Sequence, residues 1–402
     1  MNHRRLLRLA CFVIVTFPFV SAFSSAAAGH DYWVYLGTFT GQNSKGIYVS
    51  RMNAEGQLTP PQLAAENDRP VFLVADKQNR FLYAANETSS FQGTKAGSVS
   101  AFAIDAKTGK LKALNQESAK APGPDHIDVD ATGRMVMVAN YDGSSVTSFP
   151  IKRDGSVGPA ASFIQQTGHS VNPQRQAAPH AHSITVDPGN HFALVCDLGL
   201  DQILEFKIDP RDGTLTPQET ILPLDIDPTD RGRSPFTSVK PGSGPRHLAF
   251  SPDGKFAYMI SEIACTMTAF SFNPKYGELA ELQTISTLPP GTEVQSNYTA
   301  AEVVVHPSGK FLYGSTRGLD SLVVYRIDQS TGKLDLVQNV PSGGKVPRNF
   351  NIDPSGRFLL SANQDSANVT VFRIDAETGK LTSTGNQVSL EKPVCVVFVP
   401  VR

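Results

Sequence analysis

Three arginines of the chain could bind a small molecule rich in carbonyl or acid groups. They are Arg246, Arg317 and Arg348. A guanidinium group can place two parallel hydrogen bonds on a carboxylate or a phosphate. These residues therefore favour an anionic or carbonyl-rich small molecule as the ligand.

Several other side chains could move protons. His126, His182 and His247 titrate near neutral pH, where imidazole acts as both acid and base. Glu262 could accept or donate a proton, or it could only form a structural ion pair with Arg246. His126 or His247 could equally serve only to connect neighbouring elements. The residue types alone leave these alternatives open.

A metal site and a nucleotide site are not indicated. The segment PHAHS holds His180 and His182, which alternate along an extended strand and could share an ion with Asp197. The chain has no HExxH motif, however, and this His spacing is common. It has no P-loop or GxGxxG fingerprint, and GSGPR lacks the context of a serine nucleophile. We predict no metal and no cofactor.

The elements that must position these residues are visible as a repeat. A tight turn between apolar strands recurs as DKQNR (76–80), DATGR (130–134), DPGNH (187–191), SPDGK (251–255), HPSGK (306–310) and DPSGR (353–357). A second turn recurs as DAKTGKL (105–111), DPRDGTL (209–215), DQSTGKL (328–334) and DAETGKL (375–381). Glycine fits such turns because it adopts positive φ without steric cost.

The repeat predicts an all-β fold, a seven-bladed β-propeller with four antiparallel strands per blade. First strands start near residues 71, 126, 182, 247, 302, 349 and 394, about 45 to 65 residues apart. The last start has only one strand after it, whereas Tyr32–Thr38 begins with a second-strand pattern. The terminal strands are therefore expected to share one blade and to close the ring, which removes open sheet edges. A β-sandwich would not produce this fixed period.

Aligning the repeats on their turns brings two sets of residues to one rim. The first strands begin with Val71, Asp125, His182, Arg246, Ala301, Arg348 and Val394, followed by Phe72, His126, Ser183, His247, Glu302, Asn349 and Cys395. The second strands end at Asn86–Glu87, Asn140–Tyr141, Asp197, Ser261–Glu262, Thr316–Arg317 and Asn363–Gln364. Charges near a crowded axis are costly unless they are paired. Their concentration predicts a ligand site at a polar, cationic central mouth.

Composition excludes several classes of protein. The 402 residues carry a formal net charge of -1 and are 40% hydrophobic, which argues against a nucleic-acid binder and against a disordered chain. The four cysteines (Cys11, Cys196, Cys265 and Cys395) form no CxxC pair and are too few for a disulfide framework. We expect Cys196 and Cys395 to be buried apolar residues.

The N-terminus has the pattern of a secretory signal peptide over residues 1–28. Arginines precede a short apolar run, and small residues follow it. We therefore expect an exported protein, periplasmic or secreted, whose propeller domain spans residues 29–402 and has no membrane anchor after cleavage. Two polar segments, Thr167–Ala178 and Asp225–Lys240, are expected to be surface loops before blades four and five.

Four segments together resemble one known family. They are GPRHLAFSPDGKFAYMISE, PHAHSITVDP, FLYGSTRGLDSLVVY and VPRNFNIDPSGRFLLSANQDSANVTVF. Over about residues 31–400 the chain is similar to the lactonase family of seven-bladed propellers. That family includes propeller-type 6-phosphogluconolactonases and 3-carboxy-cis,cis-muconate lactonizing enzymes. The resemblance implies opening or closure of a lactone ring without a required cofactor.

The resemblance also implies roles for particular residues. The family's catalytic pattern falls on His182, Arg246, Glu262 and Arg317, and its seventh-blade motif on Arg348 and Gln364. The expected substrate-binding set has six members: Arg348, Gln364, His126, His180, His247 and Asp197. One departure from the family is the sequence Ser315–Thr316–Arg317–Gly318, where Asn-Arg-Gly is usual.

The expected reaction is hydrolysis of a sugar-acid lactone. Water attacks the carbonyl, His182 or Glu262 takes its proton, and Arg246 or Arg317 stabilises the oxyanion. One alternative is a muconate-type lactonizing cyclase or isomerase, and another is a secreted propeller that only binds a partner. We expect a small anionic or lactone substrate, no nucleic acid, and a monomer or weak dimer.

Overall fold

Short strands joined by tight turns make up the described structure. The computed structural model describes residues 31–41, 43–218 and 235–402. Within these ranges every regular element is a β-strand, and no helix has the length and hydropathy needed to cross a membrane. The predicted signal peptide lies outside the described residues.

The described strands form seven antiparallel sheets, the blades, each written here from the ring axis outwards. Blade one contains β29 (Pro393–Pro400), β1 (Tyr32–Thr38), β2 (Gly46–Met52) and β3 (Gln62–Glu66). Blade two contains β4 (Pro70–Ala75), β5 (Phe81–Asn86), β6 (Ser98–Ile104) and β7 (Leu111–Ser118). Blade three contains β8 (Pro124–Val129), β9 (Met135–Asn140), β10 (Ser145–Pro150) and β11 (Ser162–Gln165). Blade four contains β12 (Ala181–Val186), β13 (Phe192–Asp197), β14 (Gln202–Asp209), β15 (Thr214–Pro217) and β16 (Phe236–Ser238).

The other three blades follow the same order. Blade five contains β17 (Pro245–Phe250), β18 (Phe256–Ser261), β19 (Thr266–Asn273) and β20 (Glu278–Ser286). Blade six contains β21 (Thr299–Val305), β22 (Phe311–Arg317), β23 (Ser321–Ile327) and β24 (Leu334–Pro341). Blade seven contains β25 (Pro347–Ile352), β26 (Phe358–Asn363), β27 (Asn368–Ile374) and β28 (Leu381–Ser389). The seven-bladed propeller predicted from the repeat is confirmed.

The two ends of the chain close the ring. Strand β29 pairs antiparallel with β1, so that Tyr32 lies opposite Pro400 and Gly37 opposite Cys395. The innermost strands β29, β4, β8, β12, β17, β21 and β25 contact one another in a continuous cycle. The shared terminal blade is therefore confirmed.

Blade four differs from the expected pattern at its outer edge. Strand β14 pairs with β15 near one end, and Gln202–Leu204 of β14 pair with β16. The segment 225–240, predicted to be a surface loop, thus ends in a strand that completes the sheet. Its residues up to 234 lie outside the described part of the chain.

The apolar core lies between the blades rather than inside a single one. Each of the seven interfaces between neighbouring blades has its own cluster of buried apolar side chains. The cysteines of the described part, Cys196, Cys265 and Cys395, are buried and free. The expectation that Cys196 and Cys395 pack as apolar residues is confirmed.

The second turn signature packs one blade against the next. Gly109 of blade two has a φ of 69°, and a Cβ built on it would lie 2.8 Å from the indole ring of Trp33 in blade one. The Tyr35 hydroxyl donates to the carbonyl of Gly109 at 2.9 Å, and Trp33 Nε1 donates to the carbonyl of Ala106 at 3.0 Å. The glycine is required both for its backbone conformation and for this close approach.

We expect Gly109→Ala to lower the free energy of unfolding by about 2–4 kcal/mol, because left-handed strain and overlap with Trp33 add together. Gly93 is the matched control, since its φ is 79° but no atom lies within 4 Å of a Cβ built on it. Gly93→Ala should cost only the strain, about 1–2 kcal/mol. Urea unfolding followed by circular dichroism measures both; equal losses would contradict the packing role.

Candidate active site

A β-bulge near the start of every first strand directs one or two residues away from the regular ladder. In β17, Pro245 lies opposite Ser261 and His247 opposite Ile260, which leaves Arg246 without a cross-strand partner. Such a bulge bends the strand and changes the direction of the side chain. The residues released in this way are Val71, Asp125, His182, Arg246, Ala301 with Glu302, Arg348 and Val394.

The local sequence explains where these bulges form. In five blades a residue with positive φ is followed by proline and then by the bulged residue. These dipeptides are Arg69–Pro70, Gly123–Pro124, Gly244–Pro245, Val346–Pro347 and Lys392–Pro393. Proline donates no hydrogen bond to the ladder and fixes its own φ. The strand therefore enters the sheet with an irregular register at this point.

Bulged residues of blades three, four and seven meet residues at the ends of the second strands of blades two, three, five and six at one cleft. Its volume is about 260 Å³. Its lining consists of Glu87, Asp125, Tyr141, Asp142, Arg175, His182, Glu262, Arg317 and Arg348. The structure thus brings His182, Glu262, Arg317 and Arg348 together, as the rim alignment predicted.

Three arginines surround the carboxylate of Glu262. Arg246 Nε and Arg317 Nη2 lie 3.0 and 2.8 Å from Oε2. Arg175 Nη2 lies 2.5 Å from Oε1. Although burial opposes ionisation, Arg317 and Arg246 hold the pKa of Glu262 well below its usual value. Glu262 is therefore a fixed anion and a very weak base.

His182 lies between two carboxylates. Its Nδ1 is 2.8 Å from Asp125 Oδ2, in a short contact that is not aligned as a hydrogen bond. Its Nε2 is 3.7 Å from Glu262 Oε2. Burial, with Arg246 as the next contributor, lowers the pKa of His182 below its usual value. The imidazole is therefore neutral at neutral pH and can accept a proton.

Asp125 stays ionised beside that ring. Burial opposes its charge, but His182 and Arg348 hold the pKa of Asp125 well below its usual value. Arg348 Nη2 donates to Asp125 Oδ1 at 3.1 Å. The Asp125 carboxylate, bound by Arg348, thus places a negative charge beside the His182 ring, where an imidazolium would form.

Arg246 supports the cleft from below and does not line it. Only 2% of this residue is exposed. Its Nη1 donates to the carbonyl of Ala301 at 2.6 Å and to His247 Nε2 at 3.1 Å. His247 Nδ1 in turn lies 2.8 Å from Glu302 Oε1, so that the ring donates there. Burial lowers the pKa of Arg246 to about 10, which leaves it charged at neutral pH.

Two histidines of the predicted substrate-binding set lie below the cleft. His126 stacks on Phe72 with ring centroids 4.0 Å apart, and its Nδ1 accepts from the Ile184 amide at 3.4 Å. His247 belongs to the network of Arg246. Burial lowers the pKa of both rings well below the usual value. They connect blades three to six and carry no charge.

Of the remaining four members of that set, Arg348 lines the cleft, and three lie outside its lining. His180 stacks on Tyr141 at 4.4 Å, with planes 17° apart. Asp197 is buried, and its Oδ1 accepts from the amides of His180, Gly199 and Leu200 at 2.8, 3.0 and 3.1 Å. Gln364 lines a neighbouring groove and donates to Asp365 Oδ1 at 3.0 Å.

The two histidines of PHAHS do not alternate along a regular strand, although both rings contact Tyr141. The register shifts between Ala181 and Ser183, so that His182 is the bulged residue and His180 lies before the strand. In the described part of the chain, no three histidine, cysteine or acidic side chains are grouped to hold a metal ion. The alternation of side chains along a regular strand therefore does not apply to His180 and His182, because one precedes the strand and the other is bulged.

Arg175 is a cleft residue that the sequence reasoning missed. It lies in the predicted loop 167–178, which Gln176 anchors by donating to the carbonyl of Leu198 at 2.9 Å. No repeat contains an equivalent position, so the alignment of turns gave no signal for it. Glu87, Asp125 and Tyr141 were in the rim alignment but were given no role.

The charge at the mouth differs from the cationic excess that was expected. Three arginines and four acidic residues line the cleft. Arg175 and Arg317 contact Glu262, and Arg348 contacts Asp125. Arginine charge is thus balanced by carboxylates, and any ligand competes with these ion pairs.

The comparisons with known proteins agree with this architecture. The chain is 34% identical to the 6-phosphogluconolactonase of Bacillus subtilis over 91% of its own length and 97% of the relative. It is 34% identical to the 6-phosphogluconolactonase of Formosa agariphila, over 80% of the chain and 86% of the relative. The solved structure of the Pseudomonas aeruginosa periplasmic gluconolactonase PpgL superposes with a TM-score of 0.82 at 30% identity, covering 92% of this chain and all of that one (100%). Residues 33–398 match the family described as Lactonase, 7-bladed beta-propeller, and the chain belongs to that family.

Proposed function

We propose that this protein hydrolyses a sugar-acid lactone, in the manner of a 6-phosphogluconolactonase, in the cleft at the propeller mouth. The observation that carries the proposal is the neutral His182, held between Asp125 and Glu262 and lining one cleft with Arg317. Relatives with 34% identity over most of the chain are named 6-phosphogluconolactonase, which supports lactone hydrolysis.

His182 is the base in this proposal. A water molecule in the cleft gives its proton to Nε2 as its oxygen attacks the lactone carbonyl. The imidazolium that forms lies against the Asp125 carboxylate, which stabilises its positive charge. Glu262 cannot fill this role at neutral pH, because its arginines keep the pKa of its carboxyl well below the usual value.

Arg317 is the group assigned to the developing oxyanion. It lines the cleft, where its Nη2 lies 2.8 Å from Glu262 Oε2, and its hydrogen bonds to the carbonyls of Thr299 and Ala300 are long, at 3.5 and 3.3 Å. Arg246 already binds Glu262, Ala301 and His247 and is sealed from the cleft. The role of Arg246 in the reaction is to position Glu262, which in turn orients Arg175 and Arg317 in the cleft.

We also propose that the protein works after export. The pattern of residues 1–28 supports this location, and one structural relative is named a periplasmic gluconolactonase. Mass spectrometry of the protein from fractionated cells checks it: an exported fraction lacking residues 1–28, or a slightly shorter leader, is expected. An intact N-terminus confined to the cytosol contradicts the proposal.

A substrate panel tests the activity itself. We expect the purified protein to accelerate hydrolysis of glucono-δ-lactone, its 6-phosphate or both, measured by pH-stat titration and corrected for spontaneous hydrolysis. Cyclisation of 3-carboxy-cis,cis-muconate without lactone hydrolysis would instead support a lactonizing enzyme. The absence of turnover on all three compounds, by folded protein, would contradict an enzymatic mouth of this kind.

We expect His182→Gln to lower kcat by about 10²–10⁴-fold, because the general base is lost. Asp125→Asn should lower kcat by about tenfold or more and move the acid-side fall of the pH profile lower. The reason is that Asp125 raises the pKa of His182 against its burial. In the wild type, protonation of His182 should lower kcat only below about pH 6.5, since the neutral ring is the active form and its pKa lies below the usual value.

His191→Gln is the matched control, because His191 lies in an exposed turn at the opposite end of blade four. It should keep wild-type kinetics. Full turnover by a folded His182→Gln variant would remove His182 from the mechanism.

A further inference from the structure

We propose that Glu87 is a second reacting carboxyl of the mouth, which donates the proton taken by the leaving oxygen when the lactone ring opens. This inference rests on the proposed function. It concerns a residue that the mechanism above leaves unused, although the residue lines the same cleft as His182 and Arg317.

Glu87 and Glu262 occupy the same position in two different blades. Glu87 follows the last residue of β5, and Glu262 follows the last residue of β18. The Glu87 amide donates to the carbonyl of Arg69 at 3.0 Å, and the Glu262 amide donates in the same way to Gly244 at 2.7 Å. Blades two and five are separated by two blades on one side of the ring and three on the other. The two carboxyl groups therefore approach the mouth from different sides.

Their surroundings give them different chemistry. Glu262 contacts three arginines, whereas Glu87 Oε1 accepts one hydrogen bond, from Arg69 Nη2 at 2.9 Å. Glu87 Oε2 is buried and has no hydrogen-bond partner in the described structure. A buried, unpartnered carboxylate oxygen is costly, and a proton on the carboxyl removes most of that cost.

The charged groups around Glu87 favour a protonated state. Burial and then the negative charge of Asp125 on β8 raise the pKa of Glu87 to about 7. Arg348 on β25 and Arg69 before β4 oppose the shift without cancelling it. Asp142 and Glu262 are the other acidic residues of the cleft lining. At neutral pH a large fraction of the molecules thus carries a proton on Glu87.

The balanced reaction uses both titratable groups. Water oxygen bonds to the carbonyl carbon, one water proton moves to His182 Nε2, and the oxyanion faces Arg317. The ring C–O bond then breaks with its electron pair on the ring oxygen, which takes the proton of Glu87. The product is the hydroxy acid; transfer of the imidazolium proton to the Glu87 carboxylate through solvent restores the enzyme.

A separate proton donor suits the fixed position of the histidine. His182 is buried and held between Asp125 and Glu262. It can serve the attacking water without turning, but the leaving oxygen is on a different bond of the same carbon. A protonated carboxyl elsewhere in the cleft lining would supply that proton while His182 stays in place.

The decisive experiment is the pH dependence of kcat for Glu87→Gln on the lactone that the wild type hydrolyses. We expect kcat to fall by about 10²-fold or more while KM changes less than about threefold. The wild-type rate should decline above about pH 7, as the proton donor ionises, and this decline should be absent in the variant. Glu391→Gln, in the neighbouring groove, is the control and should keep the wild-type profile.

Arg69→Asn provides a second test with an intact Glu87. Asparagine tolerates the positive φ of 44° at this position, and its introduction removes one of the two cations that lower the pKa of Glu87. The alkaline decline should therefore move to higher pH. A purely structural Glu87 would change kcat without altering the shape of either profile, and that result overturns the inference.

Failure of this inference is distinguishable from failure of the proposed function. Wild-type protein without lactonase activity removes both. Active wild type that depends on His182, combined with an unchanged alkaline decline in Glu87→Gln, removes only the role of Glu87.

Discussion

The β-bulge at the start of each first strand is the constraint on which the site depends. Regular antiparallel pairing would turn alternate residues of these strands into the blade interfaces, where apolar side chains pack. The bulge releases one or two residues from that alternation. His182 and Asp125 can therefore carry charge or titrate at the mouth, and Arg246 can carry charge beneath it, while apolar residues of the same strands fill the core. Within one strand, apolar residues stabilise the core, and the bulged polar residue is free to take part in chemistry.

Electrostatic surroundings, rather than residue type, then determine what each group can do. Glu262 and Glu87 occupy equivalent positions, yet three arginines keep one ionised, whereas burial beside Asp125 leaves the other close to its titration point at neutral pH. Surroundings also separate the three histidines. His182 lines the cleft, whereas His126 and His247 lie beneath it in contacts with other side chains. A list of polar rim residues cannot make these distinctions, because they arise from contacts between blades.

The seven-bladed ring could be predicted from the sequence because the same tight turns recur from blade to blade. The sequence also placed His182, Glu262, Arg317 and Arg348 at one mouth, since each stands at a fixed distance from a turn. It failed where no repeat applies: Arg175 comes from an irregular loop and reaches Glu262 across the site. It also failed where a rim residue serves its own backbone, as Asp197 does with three amides.

The bulged residues are not chemically equivalent around the ring. Blades three, four, five and seven provide Asp125, His182, Arg246 and Arg348, and blade six provides Ala301 with Glu302, whereas blades one and two provide Val394 and Val71. The polar arc thus spans blades three to seven, and Val71 and Val394 complete the ring of bulged residues at the small cavity that they line with Arg246 and Glu302. Since the fold requires only the backbone of the bulge, the polar arc can change its chemistry without changing the core that supports it.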